Sequence, residues 1–366
     1  MIRNIKKIGF SYNEKYVSQA LTEIKGSSEE LQNAGIRFIG SAAHGFQLAE
    51  FGIQREELVA AIRMVVDASK MVFVRHCCIY DFQLGLTEEE MGNDEKIAAL
   101  AKHLLERLDL HPELTAFSIQ GRAFEQREKQ LLDDVRIQLE ELIIKEGKSL
   151  EVKYPQQIIS LFLRENELMA GVGLPTENLS RWSGGLAHYR QETWEVSRSM
   201  YKLMEAMEVF GIKTEGGMRA LDLGAAPGGW SSVLLRRGMR VTSVDTGELD
   251  PTLLKEKALE FAKINASDLE QHFTEKYGSN SPVYDLLVSD MSWSAMKTAV
   301  MVCEAAKYLK PGGTAIVTVK LLNGKPVKSL TEVKKIYSQV FEILGCRQLF
   351  HNREEVTLCM RKPEQA

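Results

Sequence analysis

Four charged residues, Lys202, Asp290, Lys320 and Glu355, are the side chains of this 366-residue sequence best suited to acid–base chemistry. Asp290 follows the apolar run DLLVS, Lys320 closes the β-branched run TAIVTV, and Glu355 opens VTLCM. Strand ends are where ligands meet a parallel sheet. A lysine removes a proton only when neutral, which requires lowering its pKa from ~10.4 towards ~7–8. A second lysine nearby does this by repulsion, and partial burial adds to it. Carboxylates oppose the shift, but they aim the amines and hold a substrate. Together the four can deprotonate and orient a hydroxyl. Taken singly, Lys202 on a helix and Glu355 in an acidic pair are ordinary solvated charges, and Asp290 an ordinary helix cap.

What gives the set its meaning is the neighbouring segment Leu221–Trp230, LDLGAAPGGW. A strand ending at Leu223 runs through Gly224, Ala225, Ala226, Pro227, Gly228 and Gly229 into a helix starting at Trp230. Small residues let a ligand cross the turn close to the backbone, and the helix start offers free N–H groups. Ala226 stands where the dinucleotide fingerprint has its second glycine. Asp245, about 20 residues on at the next strand end, suits a grip on ribose hydroxyls. A nucleotide-like cofactor is therefore expected, held by Asp222, Gly224–Trp230, Asp245 and Asp290.

The elements that must position these residues alternate regularly from residue 190. Strands are expected at 219–223, 240–244, 259–264, 285–289, 314–319, 346–350 and 355–360, with helices at 192–210, 230–237, 293–309 and 330–344. This pattern predicts an α/β, doubly wound, mostly parallel seven-stranded sheet. The link 351–354 is too short for a parallel crossover, so the closing pair is antiparallel. Residues 1–90 read βαββαβ, the order of a ferredoxin-like α+β module, with its last strand at 71–75. A second block spans 91–175, with helices at 94–108 and 125–146, and 176–189 reads as a linker rich in Gly, Ser and Pro.

Composition narrows the class. Apolar content of 44% and charge of 26% are those of a globular protein. No apolar run is long enough to span a membrane, and the start lacks a signal-peptide core. The five cysteines form no CxxC pair, so a cytosolic, reduced setting without a zinc site is expected. No carboxylate cluster suggests any other metal. A net charge of −4 leaves nucleic-acid binding to a local basic surface.

The segments SRSMYKLMEA (197–206), LDLGAAPGGWS (221–231), VSDMS (288–292), VTVKLLNG (317–324) and REEVTL (353–358) resemble the motifs of the FtsJ-like RNA ribose 2′-O-methyltransferases. The resemblance implies a class I, Rossmann-like methyltransferase domain at 190–366 that uses S-adenosylmethionine. It also implies a Lys-Asp-Lys-Glu tetrad in which Lys320 is the base and Asp290, Lys202 and Glu355 orient and tune it. RQLFHNREEVTLCMRK (347–362) and SVDTG (243–247) are similar to the RlmM-type subgroup, which acts on a cytidine ribose of 23S rRNA. Where the family has an acid near the adenine amino group, Asn265 stands here, with Asp268 as the alternative. MVFVRHC (71–77) and LMAGVGLPTENLSRW (168–182) resemble THUMP-type RNA-binding regions. That likeness nominates Arg75, Arg122, Lys153, Arg181 and His188 as phosphate contacts, and Trp182 and Trp194 as stacking platforms. The competing expectations are a ribose methyltransferase for tRNA or another RNA, and a non-catalytic assembly factor retaining the cofactor fold.

Overall fold

A computed structural model describes residues 1–26, 28–86, 94–278, 283–321 and 325–364. They fall into two compact units, Met1–Val65 with Phe73–Leu186, and Val66–Val72 with Ala187–Ala366. Residues 322–324 of the VTVKLLNG segment lie outside the described residues. Among the described residues, no helix is long and apolar enough to cross a membrane.

The first unit begins with β1 (Arg3–Tyr12), α1 (Val17–Gly26), α2 (Glu29–Asn33), β2 (Arg37–Ala43), β3 (Phe46–Glu50), α3 (Arg55–Asp67) and β4 (Val74–Gly85). The antiparallel order β2-β3-β1-β4 is ferredoxin-like. It continues with α4 (Asp94–Leu108), β5 (Ala116–Arg122), α5 (Gln126–Lys145), β6 (Ser149–Leu150), β7 (Gln157–Arg164) and β8 (Glu167–Gly173). Because β8 pairs with β4 over Phe82–Gly85, one sheet of order β2-β3-β1-β4-β8-β7-β5-β6 runs through the unit. The expected boundary between modules 1–90 and 91–175 lies outside the described residues, and this one sheet runs on both sides of it. The cause is β4. It starts at Val74 and runs for 12 residues, with β1 on one edge and β8 on the other. Apolar faces of α4 (Ile97, Leu100, Leu104) and α5 (Val135, Leu139) cover the sheet at Phe117 and Leu161.

The second unit holds α6 (Met200–Val209), β9 (Arg219–Leu223), α7 (Gly229–Arg236), β10 (Arg240–Val244), β11 (Leu259–Ala262) and α8 (Leu269–Tyr277). It continues with β12 (Tyr284–Ser289), α9 (Ala295–Ala305), β13 (Leu309–Lys320), α10 (Pro326–Tyr337), β14 (Glu342–Arg347) and β15 (Glu355–Arg361). The sheet order is β11-β10-β9-β12-β13-β15-β14, parallel from β11 to β13, with β15 antiparallel to both neighbours. This is the doubly wound sheet with an antiparallel last strand expected of a class I methyltransferase fold. Strand order reverses between β9 and β12, which opens a crevice at their carboxyl ends. Met200, Leu203 and Ala206 of α6 and Val233 and Leu234 of α7 pack on Ala220, Leu286, Val288 and Ile316.

Candidate active site

The strands deliver three of the four charged residues to one edge. Lys320, the last residue of β13, is the ladder partner of Glu355, the first of β15. Asp290 follows β12 directly. Lys202, from the first turn of α6, reaches over the sheet end. Its Nζ donates to Asp290 Oδ2 at 3.0 Å and Oδ1 at 3.3 Å. Lys320 Nζ donates to Asp290 Oδ1 at 3.2 Å and to Glu355 Oε2. Glu355 Oε1 faces the Lys202 ammonium as an ion pair without hydrogen-bond alignment. Two cations and two anions thus form one closed ring.

Its surroundings are largely dry. Glu355 is 5% exposed. Burial pulls the Lys320 pKa down, but the charges of Asp290 and Glu355, and their hydrogen bonds, outweigh it and leave it above the ordinary lysine value. The lowering expected from a second lysine does not prevail, because the two carboxylates in contact with Lys320 outweigh what opposes them. Two further side chains, missed in the sequence, position the ring. Thr318 Oγ1, fully buried, donates to Asp290 Oδ1 at 2.6 Å. Glu205, three residues after Lys202, accepts from the backbone N–H groups of Phe350 (2.8 Å) and His351 (2.9 Å). It ties the turn before β15 to α6. Only their neighbours in sequence flagged them: Thr318 sits two residues before Lys320, and Glu205 one helical turn beyond Lys202.

Beside the ring lies a cleft of about 300 Å³. Of the expected cofactor contacts, Gly224, Ala226, Asp245, Asn265 and Asp290 line it; Ile264, Met291, Ser292 and Trp293 join them unanticipated. Asp290 therefore belongs to both ring and cleft. Gly224 has φ +80°, and a Cβ there would lie 2.4 Å from Met291 Cγ. Asp245 accepts from Ala226 N (3.0 Å) and Gly247 N (2.7 Å), bracing the loop while its oxygens keep spare acceptor capacity. Asn265 accepts from Ser267 N (3.1 Å), whereas Asp268 is exposed and does not line the cleft.

The other loop residues support the cleft from behind. Ala225, Pro227, Gly228, Gly229 and Trp230 are absent from its lining. Trp230 is buried, its indole N–H donating to Ser199 O at 2.9 Å. Asp222 is buried beneath the loop and accepts from Ser231 Oγ at 2.6 Å, not from any group facing the cleft. Burial pushes its pKa up to about 7 against that hydrogen bond, and the charges of Asp290 and Asp245 add to the rise.

Of the nominated RNA contacts, Arg122 lies over the Phe46 ring (5.0 Å) and Trp194 packs on the core under Arg236. The His188 ring meets that of Phe350. Arg75 is half-buried, its Cβ region against Gly185. Lys153 is exposed beside Tyr154, and Arg181 spans the Tyr154 (4.6 Å) and Trp182 (4.1 Å) rings.

Comparison with known proteins bears on this site. Residues 195–355 match the FtsJ-like methyltransferase family, a span that contains all four charged residues. Relatives named "Ribosomal RNA large subunit methyltransferase M" include one from Pseudomonas aeruginosa, 30% identical over 240 residues, covering 61% of this chain and 63% of the relative. One from Psychromonas ingrahamii is 32% identical over 214 residues, 55% of each chain. One from Azotobacter vinelandii is 28% identical over 298 residues, 73% of this chain and 76% of that one. The chain thus spans less than two thirds of the first two relatives' length. Among solved structures, TrmN from Thermus thermophilus aligns over 99% of this chain and 100% of its own at 14% identity and a TM-score of 0.36.

Proposed function

We propose, from the match of residues 195–355 to the FtsJ-like methyltransferase family, that this protein methylates a ribose 2′-hydroxyl of RNA with S-adenosylmethionine, on a cytidine of 23S rRNA. The observation that carries this reading is that Asp290 lines the cleft and also accepts from both lysines. A cofactor in the cleft and a hydroxyl at the ring are then neighbours.

The cleft fits the cofactor by its chemistry. Asp245 offers acceptors for ribose hydroxyls, Asn265 an amide for an adenine edge, and Ile264, Met291 and Trp293 apolar surface for a base. Gly224 and Ala226 keep the backbone side clear. When bound, S-adenosylmethionine supplies a methyl group on a positively charged sulfur, already strongly electrophilic.

The remaining work falls to the protein. A ribose hydroxyl barely ionises at neutral pH, so it needs a positioned acceptor for its proton. Lys320 Nζ is that acceptor. In the ring Lys320 carries its proton, held by Asp290 and Glu355. A hydroxyl entering between Lys320 and Glu355 separates the ammonium from one carboxylate, so the amine releases its proton to solvent water more readily. Neutral Lys320 then takes the hydroxyl proton as the oxygen attacks. Asp290 and Thr318 fix the lysines' direction, and Lys202 keeps the carboxylates from collapsing onto Lys320 alone. The first unit would hold the RNA, with the Tyr154–Arg181–Trp182 stack suited to unpaired bases. With rRNA as its substrate, the enzyme would act in the cytoplasm.

The test is to map ribose methylation across total RNA from a strain lacking the gene. Loss at a single cytidine of 23S rRNA, restored by the gene, supports the reading. Loss confined to tRNA transfers the chemistry to another substrate, and no loss anywhere overturns it.

A further inference from the structure

At the opposite edge of the same sheet, where β9, β10 and β11 begin, a groove of about 480 Å³ is lined by Arg219, Arg240, Lys257 and Glu260. Its charge is unlike that of the chain, which is net negative. Glu260, the one acid in the lining, is already engaged by Lys276 (2.8 Å) and the Tyr277 hydroxyl. Nearby Asp285 is likewise held by Lys310 (2.6 Å) and the backbone N–H of Arg219 (2.8 Å). Arg240 and Lys257 are exposed and make no ion pair among the described residues.

The register sharpens this. Arg219 and Arg240 are direct partners in the parallel β9–β10 ladder, so their side chains leave the same face of adjacent strands. Adjacent strands lie ~4.8 Å apart, and like charges placed opposite each other destabilise a sheet. Burial does not explain keeping them, because Arg240 is exposed. The Arg219 guanidinium lies over the Tyr284 ring (5.5 Å), which leaves Arg240 and Lys257 as the cations open to an anion, and an arginine fork matches phosphate oxygens in particular.

We infer that this groove is a second contact for nucleic acid, taking consecutive phosphates of the RNA backbone away from the cofactor cleft. Its place in the fold suits that role. Edge strand β11 lies between Lys257 at the groove and Ile264 and Asn265 at the cleft, and its four residues alone rise ~13 Å at strand spacing. RNA following this edge meets both ends of one strand. The contacts are to phosphate, so they add affinity and register without reading sequence. The inference rests on RNA being the substrate.

The experiment measures binding rather than transfer, so that the two ideas fail separately. Full-length protein and the double variant Arg240→Gln/Lys257→Gln are titrated against a fluorescein-labelled single-stranded RNA of mixed sequence over a range of KCl concentrations. Each lost phosphate contact reduces the slope of log K against log salt by about 0.7. The double variant is expected to show a slope shallower by about 1.4 and roughly tenfold weaker binding in low salt. Cofactor affinity and thermal unfolding should match the native protein, since both side chains are exposed. An unchanged slope with native-like folding overturns the groove while leaving the substrate intact. A native protein that binds no RNA overturns both.

Discussion

Replacing Glu355 with glutamine removes one of the two negative charges that hold the Lys320 proton. The size of the effect follows from burial. Glu355 is 5% exposed and Lys320 18%, so solvent screens their contact little. An opposite charge in direct contact shifts a pKa by about one to three units. The sign is set by the direction of the shift. Lys320 is raised, so the neutral amine accumulates only as pH climbs above the ordinary lysine range, and native kcat/KM rises with pH across the accessible interval. In Glu355→Gln the proton is held less tightly. The rise then shifts down by about one to three pH units and levels off. The plateau itself drops by about tenfold or more, because a neutral amide aims the amine less firmly. Initial rates with labelled S-adenosylmethionine and unmethylated rRNA, taken as kcat/KM against pH, report the free enzyme. A profile that stays in place, or moves to higher pH, would refute the idea that the carboxylates set the base.

Three further outcomes are expected. Thr318→Val deletes a buried hydrogen bond to a carboxylate and should lower kcat by about 10–100-fold, at about 1.5–3 kcal/mol, while the cofactor dissociation constant measured by calorimetry stays unchanged. Gly224→Ala forces a side chain into positive φ and against Met291, so cofactor affinity should fall by at least about tenfold, with the circular dichroism spectrum preserved. Asp222 has a folded pKa raised to about 7. Its contribution is therefore fully present below its unfolded value, near ~3.9, and lost as pH rises through about 7. Asp222→Asn should raise the Tm at pH 8 and give a smaller gain, or none, at pH 5.

The site was legible because strand ends are legible. Runs such as TAIVTV and DLLVS stop at a charge, and parallel strands send those charges to one edge, so Asp290 and Lys320 could be placed together before any coordinates. Glu355 followed from the antiparallel closing pair. What pattern could not supply was the balance of charges at contact distance, which set the direction of the Lys320 shift. Nor could it separate loop residues that face a ligand from those that brace the loop; Asp222 and Trp230 look alike in both roles until burial is known. Helix α8 escaped because in LEQHFTEKY only Leu269 and Phe273 are buried, a stripe too thin to read. The helix expected from Glu192 begins at Met200 instead. The Ser197 and Ser199 hydroxyls bond to each other (2.7 Å), and the Ser199 carbonyl accepts from the Trp230 indole at the N-cap of the helix, contacts that tie the segment down where the helix starts. The long β4, interrupted by polar residues, hid the continuity of the first sheet.

The central claim is that Lys320 removes the proton from a ribose hydroxyl. The most direct measurement is transfer from labelled S-adenosylmethionine to 23S rRNA purified from a strain lacking the gene, by native protein and by Lys320→Ala, followed by alkaline hydrolysis. Label in one alkali-resistant dinucleotide is expected for the native protein and none for Lys320→Ala, with equal cofactor binding by both. Undiminished transfer by Lys320→Ala, or label lost on alkaline hydrolysis to a single nucleotide, would contradict the claim.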